Sequence, residues 1–450
     1  MKLKYHIPLI MSLAMLMAIT IPMMALPYCY SEAQILSDSI LHMKNHGIGV
    51  VFNNETVELP NFFDILIYPI VKYLTTKPLY LHIIMSIISA FTIYIAYKIG
   101  KFFFSIHAGV MSAAIMCVQN VFIAQSGLVL PSMLLTLCIL GGLYTFFREK
   151  YNLCTILLCV ASLTDIIGLA ASLILLASYI KIKYREWSIF KNIMLCMPIV
   201  LWFVYEAISL TICGKFSIRH NVTSIANFAN NLYFIFIDQY RFVLTAIIVI
   251  LITITLIQQK TPYFVKDMAN ITMQTFVAII VASSLVDNSE SWNLTSICLL
   301  SVFAGCLIST LPTSYYTKYL IACTAIVSAA MGCAQRNKVT DAYVNYKSKI
   351  KVDIKTVELA QSQSNGTILC DKFFKKYLTV TDLGYNNGTI FYCTTGENDD
   401  TTTTYNTAII SGFCTTPADS AICNSDTYEK INTIFIGNYT NEIYQRKSSK

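Results

Sequence analysis

The chain has 450 residues, of which 55% are hydrophobic and only 13% are charged, and its mean hydropathy is +0.58. Soluble domains average about 25% charged residues, so this composition excludes an ordinary soluble enzyme and describes a protein that crosses a membrane many times. The net charge of +7 is too small on this length to argue for nucleic acid, and where the positive charges lie matters more than their sum.

The N-terminus, MKLKYHIPLI, is basic and then apolar, like a signal peptide. Its apolar run, 7–26, exceeds the roughly 7–15 residues of a signal core and lacks a small-x-small cleavage site. It reads as a retained first helix. Apolar runs then place helices at 7–27, 79–99, 106–124, 127–147, 152–164, 166–182, 192–213, 240–258, 268–287, 293–311 and 317–334, about eleven in all. The pair 152–164 and 166–182 is short for a bilayer that needs roughly 20 residues, and one bent helix is the alternative.

Loop charges settle the parity. Lys2 and Lys4, Lys98 and Lys101, Arg148 and Lys150, Lys181 to Lys191, Lys260 and Lys266, and Lys318 fall in one set of loops. The opposite set includes QNVFIAQSG and VDNSESWN, which hold no Lys or Arg. Positive loops stay inside, so the N-terminus is expected in the cytoplasm and everything after Ala334 outside. The longer segments, 28–78, 214–239 and the tail, then all face outward, and so should the chemistry.

The first outer segment opens with YCYSEAQ. SEAQILSDSILHMKNHG reads as an amphipathic helix with Ile35, Leu36, Ser39, Ile40 and Met43 on one face, lying in the membrane interface. A carboxylate there, Glu32, can take a proton from an acceptor hydroxyl. The plain alternative is that Ser31 caps the helix and Glu32 complements its dipole. In VELPNFFDILIYPIVKYL, Pro60 starts a helix, and Glu58 before it reads as solvated. Asp165, Glu206 and Asp238, with Arg241, lie in or near spans, where charge is costly and often functional. Glu206, in LWFVYEAISL, is the most buried of these by sequence, unless it pairs with a base on a neighbouring helix. His42, His46, His82 and His220 show no metal-ligand spacing and read as surface or structural residues.

The tail changes character. VDIKTVELAQSQ reads as a helix, and GTILCD, GTIFYC, TAIISGF and NTIFIGN as strands, giving a small extracytoplasmic α/β or α+β domain over 335–450 behind a helical membrane domain over 1–334. GENDDTTTT reads as a loop. Of fifteen cysteines, Cys370, Cys393, Cys414 and Cys423 lie in the tail. An even number in an exported domain suggests two disulfides, with Cys414–Cys423 closing a short loop and Cys370–Cys393 as the complement. Free thiols are the alternative.

The order of these features, continued through SIHAGVMSAAIMCVQNVFIAQSGLVLPSMLLTLCILGGLYTFF, resembles the GT-C glycosyltransferases of the dolichyl-phosphate-mannose–protein mannosyltransferase and aminoarabinose transferase type. The resemblance is best over residues 1–215. That family's first loop reads Asp-Glu; here Ser31-Glu32 keeps the Glu. Its second motif reads Glu-x-Pro-Pro; here Glu58-Leu59-Pro60-Asn61 keeps the Glu and the first Pro. A third family acid has Pro131 or Ser132 in its place. The resemblance implies a polytopic GT-C-like fold of about eleven helices. It implies transfer of one sugar from a polyprenyl-phosphate donor to a lipid, glycan or protein acceptor on the outer face, in a bacterial inner membrane. Glu32 would be the base and Glu58 would line the cavity near the donor phosphate. Lys72, Lys77, Lys215, Arg219 and Arg241 are candidates to neutralise that phosphate. No cofactor beyond the donor is implied, although a divalent cation is compatible with it. The missing acid leaves a non-catalytic GT-C-like binding or assembly protein as the alternative. A transporter is a weaker one, because no internal repeat is evident.

Overall fold

The computed structural model describes residues 7–24, 43, 51–53, 56–73, 78–117, 119–182, 189–214, 225–233, 263–284, 293–310, 351–360, 362, 367–370, 390–393, 407–411, 428–436 and 439–446. The chain divides into two compact units. One comprises Met1–Met24, Ile48–Ile70 and Leu79–Thr340; the other comprises Ala25–Gly47, Val71–Pro78 and Asp341–Lys450.

The first unit is helical. It contains α1 (Ile7–Met24), a hairpin of β1 (Val51–Asn53) and β2 (Thr56–Glu58), and most of α2 (Phe62–Tyr73). There follow α3 (Pro78–Phe103), α4 (Ile106–Cys117), α5 (Asn120–Gln125), α6 (Pro131–Phe147), α7 (Tyr151–Thr164), α8 (Ile166–Ile182), α9 (Ile189–Cys213), α10 (Ile225–Tyr233), α11 (Tyr263–Ser283) and α12 (Leu294–Thr310). Among the described residues, Leu79–Phe103 and Phe190–Cys213 are long and apolar enough to cross a membrane, and six further apolar helices are shorter. The expected spans at 240–258 and 317–334 lie outside the described residues. So does the expected amphipathic helix after Ser31, apart from Met43, which is helical and buried.

Two expected helices change at one end, for local reasons. The single helix expected at 106–124 is two, α4 and α5. Gln119 between them is extended (φ −74°, ψ 128°), and its side-chain amide donates to the Ile115 carbonyl at 3.1 Å. A side chain that satisfies the preceding turn competes with the backbone that would continue it. The helix expected from 127 starts at Pro131. Proline suits the first helical position because it has no N–H to leave orphaned, and it holds Leu130 extended. By contrast, 152–164 and 166–182 are two helices and not one bent one. They meet at Asp165, whose backbone is extended (φ −163°, ψ 156°), and whose carboxylate accepts from Ile167 N at 2.9 Å.

Small residues set the closest crossings. A Cβ on Gly305 of α12 would lie 2.3 Å from the backbone N of Ser112 in α4, so no side chain fits there. Ser112 Oγ donates to Ala108 O at 2.8 Å within its own helix and reaches Val302 O across the crossing at 3.1 Å. Helices in lipid gain little from hydrophobic burial against each other, so close backbone approach and such shared hydrogen bonds carry the packing.

The second unit holds a helix, α13 (351–360), and a five-stranded mixed sheet. Its strands are β3 (Thr367–Cys370), β4 (Ile390–Cys393), β5 (Thr407–Ser411), β6 (Tyr428–Ile436) and β7 (Tyr439–Arg446), in the order β4-β3-β5-β7-β6. β3 is parallel to both β4 and β5; β7 is antiparallel to both β5 and β6. Val357 and Ala360 of α13 pack with Ile368, Cys370, Ile409 and Ile443 of the sheet in one buried core. Asn441 of β7 donates to Asp353 at 2.9 Å and to Thr356 at 3.2 Å, so these three buried polar side chains link helix and sheet. The sequence reading anticipated α13 and four strands but not β7. YTNEIYQR alternates around a single strongly apolar residue, Ile443, and only its place opposite Ile409 makes it a core strand.

Candidate active site at the end away from the cationic belt

The two ends of the helices differ. At one end the cations lie on aromatic rings: Lys98 on Tyr94 and Lys101 on Tyr97, Arg148 on Phe102 and Tyr144, and Lys191 on Tyr151. Edge-to-face contacts Phe103–Phe147, Phe146–Phe147, Phe146–Tyr151 and Tyr151–Tyr179 join these into a belt across α3, α6, α7 and α8. The other end has no such belt among the described residues and carries uncharged polar contacts. Ser132 donates to Gln125 at 2.8 Å, Thr136 and Thr295 share a hydrogen bond of 2.8 Å, and Asn293 donates to Asn231 at 3.0 Å.

Glu58 belongs to this second end. It closes β2 opposite Val51. The next residue, Leu59, accepts a 3.1 Å hydrogen bond on its carbonyl from the hydroxyl of Tyr205 in α9. Pro60 is buried. Asn61 accepts from Asp64 N at 3.0 Å through its side chain and so caps α2. Asp64 is buried in that first turn, where the helix dipole favours a carboxylate. Glu206, beside Tyr205, is buried at 3% exposure. The backbone that carries Glu58 is thus held at three successive points: hairpin register, the Tyr205 bond and the α2 cap. Phe62 also lines an apolar groove of about 580 Å³ between α7 and α9, together with Cys159, Leu163, Met197 and Leu201.

These features give a helical unit with an acidic hairpin motif docked on a long helix at the end away from the cationic belt. The chain can be superposed on ArnT from Cupriavidus metallidurans in the apo state with a TM-score of 0.60, over 97% of each chain, at 12% identity. In fold, the chain is similar to ArnT. The ArnT structure bound to undecaprenyl phosphate matches with a TM-score of 0.56, at 11% identity, over 98% of this chain and 97% of that one. The GT-C resemblance expected from the sequence is therefore met at the level of fold, across nearly the whole of both chains. The archaeal oligosaccharyltransferase AglB from Archaeoglobus fulgidus is a fainter likeness (TM-score 0.49, 10% identity, 85% of this chain and 64% of that one). No family model matches the sequence, and no curated protein matches it.

Of the residues expected to act, Glu32, Lys77, Lys215, Arg219 and Arg241 lie outside the described residues. Glu58 is fixed by its backbone as above. Lys72 is exposed in the last turn of α2, with its ammonium 5.2 Å from the Tyr73 ring. Cys370 and Cys393 occupy opposite register positions in β3 and β4, but the expected disulfide is not met there, since Cys370 forms none; Cys414 and Cys423 lie outside the described residues. Among the described residues no group of three His, Cys, Asp or Glu could hold a metal ion. His82, read as structural, is buried in α3. Of Pro131 and Ser132, the two residues expected in place of a third acid, Ser132 is bonded to Gln125.

Sequence reasoning missed two residues. Asn61 carried a signal, since Asn before an apolar run is a helix start. Tyr205 carried none, because its partner is 146 residues away.

Proposed function

We propose that this protein is a membrane glycosyltransferase that moves one sugar from a polyprenyl-phosphate donor to a hydroxyl of a lipid, glycan or protein acceptor on the extracytoplasmic face. The observation that carries this is the likeness in fold to ArnT over 97% of both chains. A shared fold argues function by analogy only, and two features of the chain itself support the reading. Glu58 stands on a rigidly held backbone at the end away from the cationic belt, and the groove beside Phe62 offers an apolar wall to a polyprenyl chain. ArnT has itself been solved with undecaprenyl phosphate bound.

In this reading the acceptor hydroxyl attacks the anomeric carbon and the bond from that carbon to the phosphate oxygen breaks. Glu32 takes the hydroxyl proton, and the polyprenyl phosphate leaves. Glu58 lines the cavity near the donor phosphate. Lys72, Lys77, Lys215, Arg219 and Arg241 supply the cations that neutralise the phosphate as it leaves. The membrane would be the bacterial inner membrane, with the N-terminus inside and the tail outside.

A second reading, a GT-C-like binding protein without catalysis, is favoured by the Ser132–Gln125 pair where the family keeps an acid. One experiment separates the two. Membranes holding the wild type or Glu32→Gln, at matched protein level, receive radiolabelled polyprenyl-phosphate sugars. Transfer abolished by Glu32→Gln supports the enzyme and its base together. Transfer that survives the change rejects Glu32 as base, and no transfer with any donor favours the binding protein.

A further inference from the structure

Where α10, α11 and α12 meet, at the end away from the cationic belt, buried polar side chains form a hydrogen-bond chain with a fixed direction. Ser284, just beyond α11, gives its hydroxyl hydrogen to the Ile280 carbonyl at 2.8 Å. Its oxygen is left to accept, and the Asn231 amide of α10 donates to it at 3.5 Å. Asn231 therefore turns its carbonyl oxygen to Asn293, which donates to it at 3.0 Å. Each amide is oriented by the bond before it. The chain ends at Asn293 Oδ1, which is buried on a residue 3% exposed and has no hydrogen-bond partner among the described residues.

Asn293 stands in the N-cap place of α12, since its backbone carbonyl accepts from Ile297 N at 3.1 Å. An Asn there ordinarily turns its side-chain oxygen back onto the second or third helical N–H. This one does not. The hydroxyl of Ser296, fully buried one turn on, also lacks a partner among the described residues. Residues three apart on a helix are neighbours, with Cβ atoms about 5–6 Å apart. Thr295, between them in sequence, is engaged elsewhere, with Thr136 of α6 at 2.8 Å. An acceptor and a hydroxyl thus stand side by side on one face of α12. Buried polar groups left unmet cost stability, so the pair calls for a third group.

The chemistry of the pair selects that group. Asn293 Oδ1 needs a donor, and the oxygens of a phosphate diester only accept. A hydroxyl donates to Asn293 and accepts from Ser296. We propose that Asn293 and Ser296 form a subsite for the ring hydroxyls of a sugar, carried by the lipid-linked donor or by a glycan acceptor. The inference rests on the transferase reading above and adds to it the residues that sort sugars. A site built to bond a hydroxyl rejects the analogue that lacks it, because its own polar groups are then left unpaired.

The test measures binding before transfer. Purified full-length protein in detergent is titrated with undecaprenyl phosphate and with the same lipid carrying one hexose or pentose. Wild type should hold the sugar-bearing lipid more tightly. Ser296→Ala, a change of one oxygen, should weaken that binding about tenfold and leave the bare lipid unchanged. Asn293→Ala should do the same, and one deoxy analogue of the sugar should bind wild type and Ser296→Ala alike. That outcome assigns the donor's sugar to the subsite. If lipid binding is unchanged and KM for a glycan acceptor rises about tenfold at constant kcat, the sugar is the acceptor's. Unchanged binding and KM in both variants, whatever their melting temperature, overturn the subsite and leave an internal water on the two atoms. An equal loss for the bare lipid overturns it too. Wild type that neither binds nor transfers any lipid-linked sugar overturns the transferase reading, and the subsite falls with it.

Discussion

The two ends of the helical unit are made of the same helices and do different work. At one end, Lys101, Arg148 and Lys191 are exposed and rest on aromatic faces. Amphipathic rings and snorkelling cations suit a membrane–water boundary. At the other end, Ser132, Thr136, Asn231, Asn293 and Thr295 are buried and bonded to one another or to Gln125, and the Glu58 hairpin is docked by Tyr205. Charges that face water anchor a bundle, whereas neutral polar groups inside it fix the positions of its parts. A site that must hold its geometry belongs at the second kind of end.

The sharpest way to break this contrast is to compare an acid with a cation. Glu58→Gln, in the proposed cavity wall near the donor phosphate, should lower sugar transfer well below that of the wild type. Arg148→Gln, at matched protein level, should leave turnover unchanged. Equal losses would mean that the two ends are not functionally distinct.

Packing offers the next test. Gly305→Val forces side-chain atoms against the Ser112 backbone, where even a Cβ would stand at 2.3 Å. Overpacking of this kind costs typically 1–3 kcal/mol, and here the neighbour is backbone and cannot rotate away, so about 3 kcal/mol is expected. Loss of the monodisperse peak in detergent, with Gly305→Ala already showing part of that loss, would support it.

Tyr205→Phe removes one hydroxyl and should destabilise by about 1 kcal/mol. Its sharper readout is local: amide exchange over 51–59 should rise while that of α6 and α7 stays the same. If exchange rises everywhere, Tyr205 holds the bundle and not the hairpin. Thr136→Val tests the neutral network with a smaller effect still, about 0.6 kcal/mol, the average for such bonds between membrane helices.

The smallest effect lies in the sheet. Burial alone pushes the Glu442 carboxyl up, but the Lys430 ammonium and the Tyr444 hydroxyl, which donate to it, hold it below its ordinary value. A carboxyl lowered in the folded state adds stability that is present above its unfolded pKa and is lost as pH falls through the folded one. The pair is half in water, so under about 1 kcal/mol is expected. Acid melting curves of the wild type and Glu442→Gln should converge below the ordinary carboxylate range and separate above it.

Much of this was legible in the chain. Composition pointed to a helical membrane protein, and apolar runs located α1, α3, α7, α8 and α9 to within a few residues. β-prone runs between polar stretches gave four of the five tail strands. The reason is that hydropathy and propensity are properties of a segment alone. Pro131 is of the same kind: it fixed the start of α6 through its own ring, although the periodicity of its neighbours reached further back.

Tertiary structure decided the rest, because the deciding partner was distant in sequence. Gly305 looks like any small residue until α4 lies against it. Tyr205 gains its role from Leu59 and Ile443 from Ile409. β3 and β4 share a parallel register from Thr367 opposite Ile390 onward, which neither segment states alone. A sequence states what each residue does to its own helix or strand. Which elements approach closely enough to share a hydrogen bond or a core is settled by the packing of the whole unit.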